Sequence, residues 1–127
     1  MNIEEIKEKI NNNEYSLVPD KIAIGEVIKI HIKGDLNIDG YETGYLYLRP
    51  NTGIKEHEHI NDIERYKLIT GTLKVQGINT NLNICNINKK HNIDIVDIET
   101  IIEYTKINKD EIDNNVTSAL FDKYINE

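Results

Sequence analysis

The segment Gly53–Gly77, GIKEHEHINDIERYKLITGTLKVQG, carries two histidines two residues apart, His57 and His59. A carboxylate, Glu64, follows five residues later, and a glycine, Gly71, seven after that. Side chains alternate faces along a strand, so His57 and His59 point the same way if the segment is extended. A bend through residues 60–63 then returns Glu64 to face them. Two imidazoles and a carboxylate converging from adjacent strands make a site for a divalent first-row metal. Neutral imidazole suits zinc, iron, nickel or copper, and the carboxylate extends the range to manganese. The plain alternative is a solvent-facing histidine pair. Glu58 falls on the opposite face and is expected in solvent.

Working outward, strands dominate. Residues 65–69 and 72–76 flank Gly71, which reads as a hairpin turn. Upstream, Tyr45 to Arg49 is a strand closed by Pro50, and residues 34–44 are polar and turn-rich. In residues 22–33, Ile28, Ile30 and Ile32 alternate with Lys29, His31 and Lys33, the pattern of a half-buried strand. That parity puts His31 on the surface with the two lysines. Residues 81–85 and 93–106 are the last strands. Ile3, Ile6 and Ile10 recur at helical spacing, giving a helix over residues 3–12 that the Asn11–Asn13 triplet ends. Ile112, Val116, Leu120 and Tyr124, with Ala119 and Phe121 beside them, give a C-terminal helix over residues 109–125. Both apolar stripes are expected to pack on the strands or on a partner. With no internal repeat or second unit, residues 1–127 read as one all-β domain, a sandwich or barrel framed by two short helices.

The histidine stretch resembles the first motif of the cupin family: glycine, five residues, His-x-His, three or four residues, Glu, six residues, Gly. His57, His59, Glu64 and Gly71 fall on it in register. Asn51 stands at the first glycine, and asparagine tolerates the left-handed backbone that this place asks for. The family's second motif is glycine, five residues, Pro-x-Gly, two residues, His, three residues, Asn. Around His91 its glycine, proline, glycine and asparagine places hold Thr80, Asn86, Asn88 and Ile95. The order of strand, polar turn, histidine and strand survives there. The resemblance implies a double-stranded β-helix, or jelly-roll, barrel over roughly residues 20–107. It implies one divalent ion (Fe, Mn, Zn or Ni) held by His57, His59, Glu64 and His91, and a homodimer. An exposed turn histidine beside Lys89 and Lys90 is the alternative for His91.

Composition sets bounds. Hydrophobic residues at 39% and charged residues at 29% suit a folded globular chain rather than a disordered one. A formal charge of −7 without a basic stripe argues against nucleic acid and anionic membranes as partners. No run approaches the ~20 apolar residues of a membrane helix. Cys85 is the one cysteine, so no internal disulfide can form, which fits the cytoplasm. It reads as a small buried hydrophobe.

Two further residues are candidates. Tyr66 shares the face of Glu64, so its phenol either serves a ligand in the cavity, as hydrogen-bond partner or acid, or belongs to the barrel wall. Arg49 either clamps an anionic ligand or sits on the surface, and the surface is the expectation. Three function classes follow: a metal-dependent oxygenase, isomerase or decarboxylase acting on a small molecule; a small-molecule binding or sensing module; and a metal-free sugar-nucleotide isomerase, which needs a larger polar cavity. The scaffold hosts many functions and does not choose among them.

Overall fold

Asn2 opens the first helix, α1 (Ile3–Asn11): its side chain accepts the Glu5 amide at 2.8 Å, and the Glu5 carboxylate accepts the Asn2 amide. This reciprocal cap satisfies two donors that a helix start leaves orphaned. The computed structural model describes residues 1–111 and 117–125. After α1 come β1 (Ser16–Leu17), β2 (Ala23–Ile24), β3 (Val27–Lys33), a one-turn helix α2 (Leu36–Asp39) and β4 (Tyr41–Leu48). Then follow β5 (Gly53–His57), β6 (Asp62–Thr70), β7 (Lys74–Val75), β8 (Ile78–Asn79) and β9 (Leu82–Cys85). The chain closes with β10 (His91–Ile93), β11 (Thr100–Asn108), a 3-10 turn over Lys109–Glu111 and α3 (Ser118–Ile125).

All strand pairs are antiparallel. One sheet has six strands in the order β1-β3-β4-β11-β6-β9, a second has three in the order β10-β5-β2, and β7-β8 is a separate hairpin. The two larger sheets share an apolar layer. Val27, Leu46, Leu48, Ile102 and Tyr104 of the first meet Ile54 and Ile93 of the second. The back of the six-stranded sheet is covered by helices. Ile6 of α1 packs on Ile28, Ile30, Tyr45, Tyr47 and Ile101, and Phe121 of α3 packs on Ile63 and Ile107. The molecule is therefore two antiparallel sheets face to face, as expected from the strand pattern, with the helices outside. The sheets do not close into a continuous ring.

Several expectations change in detail. Residues 65–69 and 72–76 are not a hairpin pair: β6 pairs with β11 and β9, and the β7-β8 hairpin is inserted between β6 and β9. Gly71 serves a close approach instead. Its φ is +93°, and a Cβ there would collide with the Glu99 carbonyl and the Thr100 hydroxyl. The inserted hairpin turns at Gln76-Gly77, both at positive φ, the geometry of the favoured two-residue turn. The strand expected over residues 22–33 breaks at Gly25, and both faces of β3 are covered, so Lys29 is not a surface residue. The polar 34–44 stretch holds α2, capped by the Asp35 side chain, and β4 starts already at Tyr41, where pairing to β11 begins. In α1, Ile6 and Ile10 pack while Ile3 is 37% exposed. At the other end the helix begins at Ser118 rather than 109. Phe121 carries its burial, flanked by Leu120 and Tyr124, and Ile112 and Val116 lie outside the described residues.

Candidate metal centre

His57 is the last residue of β5, and His91, the first residue of β10, stands opposite it in register. Their rings meet edge to face at 4.2 Å between centroids. Beyond His57 the chain leaves the strand, so His59 sits in the bend before β6 and not on β5. The convergence of the two histidines, 5.1 Å between ring centroids, comes from that bend rather than from strand parity. The same bend carries the chain into the six-stranded sheet, where Glu64 points back from β6. A backbone hydrogen bond from Asn88 N–H to the His59 carbonyl, 2.8 Å, ties the bend to the turn that precedes His91. Asn88 takes positive φ (59°) in that turn, and Asn51 does so (71°) where the first motif places a glycine. Asparagine is the residue that most readily replaces glycine there.

Ligand atoms of His57, His59, Glu64 and His91 all lie within 4.8 Å of one another. The Nε2 atoms of His59 and His91 are each 3.5 Å from Glu64 Oε1. An ion about 2.1 Å from each donor sets neighbouring donors roughly 3–3.5 Å apart, so these separations suit a shared ion. They are long for a direct charge-assisted hydrogen bond, which runs about 2.7–2.9 Å. The imidazoles are oriented from behind. His57 Nδ1 donates to the Lys55 carbonyl at 2.8 Å, and His59 Nδ1 donates to Asp62 Oδ1 at 3.1 Å, with the other carboxylate oxygen 2.9 Å away. With Nδ1 protonated, each neutral ring keeps its Nε2 lone pair free. Nε2 of His59 and both nitrogens of His91 are buried without a hydrogen-bond partner. A buried carboxylate facing two imidazole nitrogens that have no hydrogen bond of their own calls for a proton or a metal cation between them. The donor set therefore fits a divalent ion.

The cluster opens on a cavity of about 70 Å³. Leu46, Ile54, Ile22 and Val18 give it apolar walls, and Tyr66, Tyr104, Lys29 and Lys106 give it polar ones. Tyr66, 2% exposed, is held protonated by burial and by the neighbouring Glu64 charge, far above the usual phenol range. Burial alone would raise the Glu64 pKa, but the Lys106 ammonium, His91 and His59 overrule it and bring the carboxyl down to about 2. The His57 pKa is lowered, first by burial and then by the two other rings. The His59 pKa is raised, chiefly by the Asp62 hydrogen bond.

No protein-family model and no curated protein matches the sequence. Solved structures do match the fold. One is described as a predicted oxalate decarboxylase from Thermotoga maritima, 14% identical over 74% of this chain and 91% of that one, TM-score 0.62. A cupin-like protein from the same organism is 13% identical over 85% and 91%, TM-score 0.60. An acetylacetone dioxygenase from Acinetobacter johnsonii is 15% identical over 76% and 69%, TM-score 0.57. The fold is that of the cupins.

Within this cupin scaffold the other sequence candidates separate cleanly. Tyr66 enters the cavity beside Glu64. Arg49 stays at the surface, with Glu26 at 3.5 Å and the Tyr47 ring under its guanidinium. His31 is exposed and bonds the Gly34 carbonyl, and Glu58 is exposed. Cys85 is buried, its thiol pushed up to about 12 by burial and the Glu64 charge, so it is no nucleophile at neutral pH. Sequence reasoning missed Asp62, Lys29, Tyr104, Lys106 and Glu42. Cross-strand register is the signal that finds the last pair: Lys106 stands opposite Glu42 on β4 and Glu64 on β6, so all three share one row across the sheet.

Proposed function

We propose that this chain is a small single-domain metal-binding cupin that acts on a small molecule at a three-histidine, one-glutamate centre formed by His57, His59, Glu64 and His91. The observation that carries the reading is the pair of buried, partnerless Nε2 atoms aimed at Glu64. Iron, manganese, zinc and nickel all suit such a donor set. Bound there, the ion supplies a Lewis-acid site with exchangeable positions for a small ligand, water or dioxygen. The chain's own contribution is legible around it. Val18, Ile22, Leu46 and Ile54 exclude bulk water, and Tyr66 holds a proton beside the centre. An oxygenase, isomerase or decarboxylase fits this cavity. A cavity of about 70 Å³ is far too small for a sugar nucleotide, which disfavours the metal-free isomerase. A cytosolic homodimer goes with this reading, supported by the buried free Cys85 and by β1 and β9 at the edges of the six-stranded sheet. Light scattering showing a monomer at all concentrations would remove the dimer.

Elemental analysis of protein purified without chelator or a metal-affinity tag tests the centre. About one divalent ion per chain is expected, with loss of it in His59→Ala. Equal metal content in both proteins would sink the assignment. Tyr66→Phe then separates enzyme from binding module. If Tyr66 is a general acid, turnover of a substrate found by metabolite screening falls on the order of 10²–10⁴-fold with metal retained. A module that only binds loses about 1 kcal/mol of affinity. Unchanged rate and affinity would make Tyr66 part of the wall.

A further inference from the structure

Every carboxylate near Lys106 already has another partner. Glu42 accepts from Lys29 at 2.9 Å and from the Tyr104 hydroxyl at 2.7 Å. Asp62 holds His59, and Glu64 faces His59 and His91. The side chain of Lys106 is half-buried, and its ammonium forms no ion pair among the described residues. Its ring contact is Tyr104, 5.9 Å from the centroid, and it lines the same cavity as His57, His59, Glu64 and Tyr66. An ammonium turned into an apolar-walled cavity with only a ring beside it is costly unless something in the site answers its charge. The field of Glu64, Glu42 and Asp62 keeps it protonated, in that order of strength, against its burial.

Resting on the metal-centre reading, the balance of charge then changes sign. Three neutral imidazoles and one carboxylate around a divalent cation leave net positive charge, and Glu64 is occupied with the ion. Lys106 becomes a second positive group facing the same small space, with apolar walls that weaken no attraction between them and an incoming anion.

We propose that Lys106 is the anion-binding group of this cavity, and that the ligand of the centre is a small carboxylate whose charge Lys106 answers. The cavity volume limits that ligand to a few heavy atoms beside the centre. Tyr66 supplies a protonated hydroxyl on the same wall, so one neutral donor and one cationic donor converge on the ligand's oxygens. Lys29, by contrast, is engaged with Glu42.

Zinc-loaded protein, with zinc content fixed by elemental analysis, is titrated with acetate and followed by NMR, including the side-chain ammonium resonances of protein labelled with ¹⁵N-lysine. Saturable shifts of the Lys106 ammonium and of cavity backbone amides are expected. Lys106→Met should weaken acetate binding about 10- to 100-fold, the loss of one charge-assisted hydrogen bond, while Lys106→Arg retains most of it. Equal affinity in wild type and Lys106→Met overturns the proposal. Should Lys106→Met fail to fold, the wild-type ammonium decides: no response to acetate overturns the proposal just as well. A chain that takes up no zinc overturns the metal-centre reading and this inference with it. A chain that takes up zinc while Lys106 ignores acetate overturns this inference alone.

Discussion

Asp62 shows how much one unforeseen side chain contributes to the centre. Its carboxylate fixes the His59 tautomer and raises the basicity of the ring, as a carboxylate behind a ligating histidine does. His57 leans on the weaker support of a backbone carbonyl, and His91 has no partner at either nitrogen. His59 is thus the best supported of the three imidazoles. Asp62→Asn keeps the shape and removes the charge. Because Asp62 also pairs its backbone with Asn108, the fold should survive. Metal affinity, measured by competition with a chromophoric chelator, should fall about 10- to 100-fold. Affinity within twofold of wild type would mean that the Asp62 charge is not felt at the centre. Asp62 opens β6 and shares the face of Glu64 and Tyr66, so strand parity points to it only once the strand is known to begin there. The sequence reading keeps residues 60–63 in the bend and passes over it.

Elements differ in how openly the sequence declares them. The His57, His59 and Glu64 spacing reads directly, since all three lie within one bend and its flanks. His91 needs the fold, because only the β5-β10 register sets it opposite His57. The covered back of the six-stranded sheet was partly visible: alternation in β3 marked Ile28 and Ile30, yet it misplaced Lys29, because α1 and the second sheet cover both faces. In α3 the four-residue stripe pointed to Leu120 and Tyr124, while burial centres on Phe121. The neighbour that decides this is Arg65. Its guanidinium, 1% exposed, donates to the Ser118 carbonyl and hydroxyl at 2.9 Å and to Asp122 at 2.8 Å, and lies over the Phe121 ring. A buried arginine on β6 thus turns the helix so that Phe121 faces the sheet. Phe121→Ala should cost about 3–5 kcal/mol, read as a lower chemical-denaturation midpoint with metal binding unaffected in the folded protein. A midpoint within error of wild type would mean that α3 does not dock in solution.

At the scale of the molecule, the centre joins two sheets. His57 and His91 come from the three-stranded sheet, Glu64 from the six-stranded one, and His59 from the connection between them. An ion held by all four stabilises the native chain by mass action, about 2.7 kcal/mol when free metal is a hundred times its Kd. Chelation should therefore lower Tm and added zinc should restore it, with no response in His59→Ala. Acid acts on the metal-free chain through its depressed carboxyls. Burial opposes the ionised form of Glu42, but Lys29 and Tyr104 prevail and hold its pKa below 4.5; Glu64 lies lower still, at about 2. A depressed carboxyl adds stability that is complete above its unfolded value and is lost as pH falls through its folded value. The loss should run from about pH 4.5 down to about pH 2. Tm of chelated protein against pH measures it, and Glu42→Gln, which cannot titrate, should show a shallower acid decline. Parallel curves for the two proteins would mean that the Lys29–Glu42–Tyr104 cluster adds nothing to acid stability, leaving Glu64 and the surface carboxylates to account for it.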